Sequence, residues 1–459
     1  MVDTPRKDAP VAALLVPDIL ALLDESPADV AAETEELHAA DLAEVAEALP
    51  VDRIPAFLRA LPSSRAADVL EYLDDELRTE LLERMSTAQA AELVTEMTPD
   101  ERADVLEEME EERADQILSE IPSEPRRETE QLLSYPTDSA GGLMTTEFVS
   151  VPESLSVDDA LQSVRAAARE GHAEAMHTVY TTDAAERLVG VLSLRELLAA
   201  PAGARLSETA WSQVVTVAPT ADREEVARVT SKYDLVAVPV IDDDRKLLGV
   251  VTVDDVIDAI EEEQTEDVQR LGAVEPLEEP YFQAGFWSIA RKRGGWLTLL
   301  FLTELLTGTA LKHFESTLAG ALALVFFVPL IISSGGNSGS QSASLITRAL
   351  AVGDVEQRDA WRVLRRELGQ GVALGAFLGL IGFARALMWV DSMPVATVVA
   401  LTLVLVVITG TVAGAMMPIL LKRVGFDPAL ASSPFVASFV DVAGILIYLG
   451  IAVKVLGLE

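Results

Sequence analysis

The sequence contains no cysteine and only four histidines among its 459 residues. The absence of cysteine excludes disulfide bonds and metal sites built on thiolates. The histidines follow no spacing typical of metal ligands. A bound metal would therefore be held by oxygen atoms, which favours a hard cation such as Mg²⁺ or Ca²⁺.

Basic residues are also scarce, since 35 lysines and arginines stand against 74 aspartates and glutamates, for a net charge of −39. The first 284 residues hold 22 basic and 64 acidic residues, whereas residues 285–459 hold 13 and 10. Nucleic acids require basic surfaces, so we expect no nucleic-acid partner. Two explanations of the acidity stay open. One is adaptation to high salt, which the scarcity of lysine favours and which points to a halophilic host, and the other is cation sensing.

Glycine is absent before Gly141, and the region from 10 to 133 is rich in alanine, leucine and glutamate, a composition that predicts helices. Segments with a small residue, an acid and an apolar pair recur at spacings close to multiples of twelve. They are RAADVLEYL (65–73), QAAELVTEM (89–97), RADVLEEM (102–109) and RADQILSEI (113–121). The repeat predicts an all-α superhelical domain over residues 1–135. We expect a protein-interaction scaffold, and a contribution of Asp100 to ion sensing stays open.

Tyr135-Pro136 and Gly141-Gly142 end the helical pattern, and two similar modules follow within residues 136–260. Each reads as an apolar strand, an acidic turn, a second strand with a glycine, and then a helix. The first contains HTVYTTD (177–183) and LVGVLSLRELL (188–198), and the second contains AVPVIDDDRKLLGVVTVDDVI (237–257). This paired α/β pattern resembles tandem CBS domains.

The CBS resemblance implies a nucleotide site, because a Gly-x-x-Ser/Thr-x-x-Asp turn in that family can bind the ribose of an adenine nucleotide. In the second module Gly249, Thr252 and Asp255 match this turn, and Arg195 is a further candidate contact. In the first module Glu196 replaces the aspartate. The turn threonine is also explained as a helix cap, so nucleotide binding is one of two open interpretations.

A dense run of acids, DDVIDAIEEEQTEDVQRLGAV (254–274), leads from the modules toward an apolar region. Its apolar residues recur at helical spacing, which predicts a connecting helix within residues 261–290. Crowded carboxylates repel one another, and a bridging divalent cation would relieve that repulsion. Removing the cation would then let the helix move. The alternative is a solvated acidic face, and the residues favour neither interpretation.

Residues 291–459 form the expected membrane domain, an α-helical region with five spans. The apolar segments lie at roughly 294–314, 318–347, 368–390, 394–421 and 434–457. Basic clusters precede the first, separate the second from the third, and separate the fourth from the fifth. Positive charges mark the cytoplasmic side, which places the first 284 residues in the cytosol and the C-terminus outside the cytoplasmic membrane. We expect no signal peptide, because the N-terminus is acidic.

One carboxylate, Asp441, lies inside the last apolar segment, about 10 Å along a helix from Pro434. A charge at that depth is costly and by default marks an ion path or a buried partner. Glu304 and Arg385 are further charges inside apolar segments. They would pair with each other, or Glu304 would lie near an interface, and we assign them no transport role.

The second apolar segment contains VPLIISSGGNSGSQSASLITRAL (328–350). We expect its proline and glycines, at positions 329, 335, 336 and 339, to interrupt the helix, while Asn337, Ser340 and Gln341 supply oxygen atoms. Broken polar backbone is tolerated at membrane depth where it lines a water-filled cavity, which predicts a pore. Close helix packing by small residues is the alternative.

In this order, the helical array, the CBS pair, the acidic connector and the five spans resemble an MgtE-type magnesium channel over almost the whole chain. The most specific matches are PLIISSGGNSGSQSA (329–343), DPALASSPFVASFVDVAG (427–444), and TVDDVIDAI (252–260) followed by TEDVQRLGAV (265–274). The resemblance implies a homodimer in the lipid bilayer with a central pore that binds hydrated Mg²⁺ at an aspartate of the last helix. The implied pore residues are Asp441, Asn337, Gly336 and Gln341.

The same resemblance implies regulation. Cytosolic Mg²⁺ bridges the helical array, the CBS pair and the connector, which is called the plug helix in this family, and closes the pore, while ATP in the CBS domains biases closure. The matching acidic positions are Asp222, Glu224, Asp234, Asp255, Asp258, Glu263, Glu266, Asp267 and Asp427. Glu224 stands where the family often has aspartate, and Glu304 is a charge not expected in the first span.

The predicted function is therefore Mg²⁺ uptake through a self-regulated channel. Two alternatives stay open: transport of another divalent cation such as Co²⁺, Mn²⁺ or Ca²⁺, and a membrane-anchored CBS sensor of nucleotides or cations that does not transport. Catalysis is not expected, because the sequence contains no nucleophile–base pair, phosphate loop or catalytic metal motif.

Overall fold

The computed structural model describes residues 10–170, 177–201, 203–277, 281–282 and 284–457. The chain divides into two compact units, Met1–Ile260 and Glu261–Glu459. Unit one combines a helical array with two small sheets, and unit two consists of helices. The predicted multidomain fold class is thereby confirmed.

Ten short helices form the array of unit one within residues 10–132. They are α1 (Pro10–Glu25), α2 (Val30–Glu33), α3 (Ala39–Ala48), α4 (Ile54–Ala60), α5 (Ser63–Glu71), α6 (Asp75–Arg84), α7 (Thr87–Glu96), α8 (Pro99–Glu108), α9 (Glu111–Glu120) and α10 (Ser123–Leu132). Helices α3, α5, α7 and α9 pack one on the next, as do α6, α8 and α10. This alternate packing is that of the predicted superhelix.

The repeat of the array has a simple structural origin. Apolar residues follow one another at intervals of twelve, at Leu49, Leu61, Leu73, Met85, Met97, Met109 and Ile121. Most of these helices have ten residues, just under three turns. The backbone is extended at Leu61, Met97 and Ile121, directly after their helices, and their side chains are buried. Burying one such side chain contributes about 1.5–3 kcal/mol, so each repeat supplies its own share of the core.

The rest of unit one contains two sheets. Strand β1 (Val149–Pro152) pairs in parallel with β2 (Thr178–Thr182), which pairs antiparallel with β3 (Leu188–Ser193), and β4 (Ala237–Ile241) pairs antiparallel with β5 (Leu247–Thr252). The helices are α11 (Val157–Glu170), α12 (Leu194–Ala199), α13 (Leu206–Thr209), α14 (Arg223–Tyr233) and α15 (Val253–Leu271), which continues into unit two. The strand–turn–strand–helix order predicted for both modules is confirmed.

Unit two has, within its described residues, five helices long and apolar enough to span a membrane. They are α16 (Phe286–His313), α18 (Val328–Ala351), α19 (Ala360–Val390), α20 (Met393–Arg423) and α21 (Ser433–Leu456), with the short α17 (Glu315–Gly320) between the first two. The predicted number of spans is confirmed. The third spanning helix, α19, begins at Ala360, earlier than the predicted apolar segment that starts at about 368. A helix extends beyond its apolar part wherever the flanking residues favour helix.

The predicted interruption of the second span is wrong, because α18 runs unbroken over Val328–Ala351. Pro329 is its second residue, where the missing N–H would be unsatisfied in any helix. The glycines lie buried within the helix and admit its neighbours instead of breaking it. A methyl group on Gly335 would lie 2.5 Å from Val406 Cγ1 of α20. Close packing, the alternative interpretation, therefore accounts for these glycines.

Gly410→Ala is expected to destabilise unit two. An added methyl group would lie 2.5 Å from both Gly335 O and Ser338 Oγ of α18, and a backbone oxygen cannot move aside alone. Overpacking of this kind costs about 1–3 kcal/mol, so the midpoint of thermal unfolding in detergent should fall. Gly450→Ala in α21 is the matched control, because no neighbouring atom lies within 4 Å of its added methyl group. Equal midpoints for the two variants would contradict this close packing.

Candidate functional site

Asp441 lies within α21 and faces α18. Its side chain is partly buried, and Oδ1 is a buried atom with no hydrogen-bond partner among the described residues. Gly336 of α18 approaches it, since a methyl group added there would lie 3.5 Å from Asp441 Oδ1. A buried acceptor without a partner is unfavourable. The two helices thus create a position where a cation or its water would be stabilised.

The outward side of α18 is polar. Ser333, Asn337 and Gln341 are spaced four residues apart and form one stripe, which is exposed in the single chain. Asn337 Nδ2 donates a hydrogen bond to Ser333 Oγ at 3.2 Å, which orients the amide along the stripe. Gly336 therefore lies against Asp441, while Asn337 and Gln341 lie on the adjacent outward side. Polar groups at membrane depth face water or protein, because contact with lipid is costly.

The predicted pairing of Glu304 with Arg385 is not formed. The Arg385 guanidinium lies 3.8 Å from the ring centre of Trp389, one turn further along α19, in a cation–π contact. Glu304 instead lines a cavity beside α21 and acts electrostatically on Asp441. The sequence carries no sign of this proximity, because the two acids come from spans far apart in the chain.

A second acidic site lies within unit one. We call it the buried acid cluster: Glu71, Asp100, Glu101, Asp104 and Asp255. Asp100 is 4% exposed, and its Oδ1 has no hydrogen-bond partner within the described part of the chain. Asp255 comes from the first turn of α15 and the others from α5 and α8, so the cluster joins the helical array to the CBS pair. Sequence reasoning implicates Asp255 and leaves Asp100 open, but nothing in the sequence distinguishes the other three from their many acidic neighbours.

Burial raises the pKa of every carboxyl in the buried acid cluster. The pKa rises to about 7 for Glu71 and Glu101 and to about 8 for Asp104 and Asp255. The charge of Asp100 adds to the effect of burial at all four, and burial also raises the pKa of Asp100 itself. Near neutral pH these carboxyls are close to their pKa values, and each proton that they release adds repulsion that a bound cation would relieve.

The buried acid cluster offers carboxylate oxygens, the ligand type that a magnesium ion prefers. Arg78 Nη1, 3.3 Å from Glu101 Oε2, offsets part of the negative charge. Among the described residues, no three acidic or histidine side chains converge into a ready-made cage for a bare ion. Mg²⁺ sheds water reluctantly and usually keeps several waters, so it needs no such cage.

The raised pKa values predict that unit one loses stability as the pH rises in the absence of divalent cations. The folded chain keeps these carboxyls protonated up to about pH 7–8, whereas the unfolded chain releases the protons near pH 4. The folded state therefore binds more protons than the unfolded state between about pH 4 and pH 8. The stabilisation that these protonated carboxyls give is complete below about pH 4 and is lost as the pH rises through 7–8.

With a chelator present, the midpoint of thermal unfolding should fall between about pH 6 and pH 8.5, and Mg²⁺ should reduce this fall. Glu101→Gln should flatten the pH dependence, because it removes one of the buried titrating groups. Glu83→Gln, at an exposed position of α6, should not. The same pH dependence in both variants would contradict the assignment.

Helix α14 has predicted sensing residues at both ends, with Asp222 and Glu224 at its start and Asp234 at its end. Asp222 caps its N-terminus and accepts the Glu224 N–H at 2.8 Å, whereas Asp234 ends the helix with a φ of 51°. Twelve residues at the helical rise place about 18 Å between the two ends. Asp222 and Asp234 therefore do not belong to one ligand set within unit one. Asp258 lies on the exposed side of α15.

In unit two, acids of α15 meet the loop that precedes α21. Arg270 forms ion pairs with Glu266 and with Asp427. Burial, followed by the charges of Asp427 and Glu263, raises the pKa of Asp267. The structure thus brings together four predicted sensing residues, and it adds Arg270, which sequence reasoning does not single out. A mixed cluster of this kind exchanges partners when a divalent cation competes with the guanidinium.

The predicted nucleotide turn is shaped by packing. A methyl group on Gly249 would lie 2.7 Å from Thr145 O, so this position requires glycine where the segment before β1 crosses β5. The Thr252 hydroxyl donates a hydrogen bond to the Asp255 carboxylate within the turn, at the start of α15. Asp255 also belongs to the buried acid cluster, and Arg195 is exposed in the first module.

The corresponding turn of the first module uses its carboxylate internally. Glu196 forms a capping box with Ser193 at the start of α12 and accepts a hydrogen bond from Trp211 Nε1 at 3.0 Å. These hydrogen bonds lower the pKa of Glu196. Its acceptor atoms are occupied by the protein, so this turn does not offer a free acid to a ribose.

Comparisons with known proteins match the helical array, the CBS pair and most of the membrane region. The family model of the MgtE intracellular N domain matches residues 37–138, that of the CBS domain matches residues 140–203 and 206–262, and MgtE, described as a divalent cation transporter, matches residues 328–451. The magnesium transporter MgtE of Thermus thermophilus is 44% identical over 71% of this chain and 72% of its own. The chain belongs to the MgtE family.

Two further proteins are similar to this chain. The magnesium transporter MgtE of Enterococcus faecalis is 35% identical over 72% of this chain and 72% of its own. A crystal structure of the soluble part of a magnesium transporter aligns with a TM-score of 0.52 and 30% identity, over 55% of this chain and 99% of that one. The resemblance read from the sequence is thus confirmed, and the MgtE family is one of transporters, not an enzyme class.

Proposed function

We propose that this MgtE-family chain conducts Mg²⁺ into the cell through a membrane pore lined by α18 and α21. The observation that carries the proposal is the unpartnered Asp441 oxygen beside Gly336. Relatives named as magnesium transporters support the choice of ion. Helices α18 and α21 pack against each other, so acid and glycine share one interface inside the membrane region.

The proposed pore lies between two copies of the chain. The stripe of Ser333, Asn337 and Gln341 is exposed in one copy, although it runs along a membrane-length helix. A second copy would cover this stripe and enclose water against it. Two Asp441 side chains about the dimer axis would then offer a charge of −2. A divalent ion neutralises that charge, whereas a monovalent ion leaves part of it uncompensated.

The ion would pass with its water shell in place. Mg²⁺ dehydrates reluctantly, so carboxylate and amide oxygens are suited to hold its waters rather than the bare ion. Asp441, Asn337 and Gln341 supply such oxygens. The glycine at 336 leaves room beside the acid, where any side chain would intrude.

Regulation by internal Mg²⁺ belongs to the same proposal. Without a cation, the carboxylates of the buried acid cluster repel one another, and the acids around Arg270 share one guanidinium. A bound Mg²⁺ would stabilise the conformation in which these acids hold it. An ion that binds the closed state more tightly shifts the channel toward closure. Asp222, Glu224, Asp234 and Asp258 would supply further ligands, and the regions before the spans would lie in the cytosol, with the C-terminus outside.

ATP is the proposed ligand of the CBS pair. It would use the turn of Gly249, Thr252 and Asp255 with Arg195 as a further contact, and it would bias closure. Calorimetric titration of the purified protein with ATP tests this, and Thr252→Val should weaken binding because it removes the turn hydroxyl. Equal affinity of wild type and variant for ATP would show that this turn does not bind the nucleotide.

The test of transport is ion flux into vesicles that contain the purified chain and a Mg²⁺-sensitive dye. We expect Mg²⁺ entry that falls as internal Mg²⁺ is raised. Competition by Co²⁺, Mn²⁺ and Ca²⁺ on the same vesicles decides which divalent ion is preferred. A protein that changes shape with Mg²⁺ or ATP but conducts no divalent ion would be a sensor, and the proposal would be wrong.

A further inference from the structure

A cavity of about 700 Å³ lies between α16 and α21 in unit two. Leucine and phenylalanine side chains of α16 form much of its wall, and the polar groups that line it are Thr298, Glu304 and Ser438. Thr298 and Glu304 both belong to α16, and Ser438 lies one helical turn before Asp441 in α21. The cavity thus approaches the proposed pore acid from the side of the first span.

Glu304 is an unusual residue for this place. It is the charge between Arg293 and Lys312 in the first span, about 12 Å along the helix from Lys312. Its side chain is exposed in the single chain and forms no ion pair with Arg385, which stacks on Trp389. An acid at this depth is costly in lipid, so a cavity that admits water and cations is the environment that stabilises it.

Glu304 and Asp441 act on each other electrostatically, and two like charges in a medium of low polarity repel. The buried Asp441 Oδ1 has no hydrogen-bond partner among the described residues. A divalent cation between or beside the two carboxylates removes the repulsion and supplies the missing partner through its water. Six waters occupy about 180 Å³ at liquid density, so a fully hydrated ion fits within the cavity volume.

We propose that Glu304 is a second carboxylate of the ion path, which holds a hydrated divalent cation in the cavity between α16 and α21 and shares it with Asp441. This inference rests on the proposed function and deepens it. Asp441 remains the acid of the pore itself, and Glu304 raises the local concentration of the ion beside it. The first span, through one side chain, thereby takes part in selection by charge.

The absence of native cysteine makes a direct test of the cavity straightforward. Thr298→Cys places a thiol in the cavity wall and keeps Glu304, and Leu299→Cys places one at the neighbouring position, which does not line the cavity. A positively charged, membrane-impermeant thiol reagent should label Thr298→Cys at least about tenfold faster, because Glu304 attracts it. Mg²⁺ should slow this labelling.

Glu304→Gln in the Thr298→Cys background should abolish the protection by Mg²⁺. Glu315→Gln, an exposed acid of α17 outside the cavity, should preserve it. Equal labelling of the two thiols, or protection that survives Glu304→Gln, would overturn the proposal. These readouts do not require flux, so they decide the role of Glu304 even if the pore acid is assigned wrongly.

Flux gives the second readout. Glu304→Gln should reduce Mg²⁺ flux by about threefold to tenfold, whereas Glu315→Gln should leave it unchanged. Flux unaffected by Glu304→Gln would overturn the role of Glu304 alone. Flux that persists in Asp441→Asn would instead overturn the proposed function.

Discussion

Asp441→Asn is expected to reduce Mg²⁺ flux into vesicles by at least about tenfold. The amide has nearly the same shape as the carboxylate and keeps the packing against Gly336, so the change removes charge alone. A divalent ion 5 Å from a unit charge gains about 1.5–2 kcal/mol even at the dielectric constant of bulk water, and more in a confined pore. Because 1.4 kcal/mol corresponds to a factor of ten, losing the charge from both copies of a dimer should stop most conduction.

The matched control for this loss of charge is Asp391→Asn. Asp391 ends α19 with a φ of 48°, a conformation that asparagine also adopts readily, and it lies in the short connection to α20. The control should conduct as wild type does. Flux in Asp441→Asn equal to that of the control would remove Asp441 from the ion path.

Asp100→Asn combined with Asp255→Asn is expected to keep the channel open at internal Mg²⁺ concentrations that close the wild type. The two residues come from the helical array and from the CBS pair, and Asp100 carries the unpartnered oxygen of the buried acid cluster. Replacing both removes the repulsion that the cation relieves and two of its anionic ligands. The internal Mg²⁺ concentration needed for half-closure should rise by at least about tenfold, equivalent to 1.4 kcal/mol of lost binding.

A variant with the same loss of charge at exposed positions separates sensing from salt adaptation. Asp115 in α9 and Asp244 in the turn before β5 are both exposed. Asp115→Asn with Asp244→Asn should leave closure unchanged. If both double variants close as the wild type does, the buried acid cluster has no part in sensing.

Stability gives an independent measure of the same site. A ligand at about one hundred times its dissociation constant stabilises the state that binds it by about 2.7 kcal/mol. Mg²⁺ should therefore raise the midpoint of thermal unfolding of unit one in the wild-type protein and in the exposed control. It should raise that of Asp100→Asn/Asp255→Asn much less. An equal rise in all three proteins would place the stabilising ion elsewhere.

Features with a local physical cause are predictable from the sequence. The intervals of twelve residues in the helical array follow from helices of almost three turns, most of them followed directly by an apolar residue in extended backbone. The five spans follow from runs of apolar residues, and the strands of both CBS modules follow from short apolar runs bounded by acidic turns. Asp441 stands out for the same reason, because a single charge within an apolar run needs no tertiary information to be noticed.

Features that depend on what surrounds a residue are not predictable in this way. The glycines of α18 are compatible with a broken helix or with close packing, and only the approach of α20 and α21 decides for packing. Asp222 and Asp234 both match a sensing pattern, yet they lie at opposite ends of α14. In the sequence, Arg270 is one basic residue in an acidic run, and only the structure shows that it forms ion pairs with both Glu266 and Asp427.

The sequence by itself therefore determined the order of domains, the number of spans, the family and the acid at the centre of the proposed pore. Tertiary structure alone decided which acids of unit one are buried together and that Glu304 lines a cavity beside the helix of Asp441. The reason is desolvation. Among 64 acids in the first 284 residues, the side chains look alike in sequence, and only burial and the approach of other charges make a few of them costly to ionise.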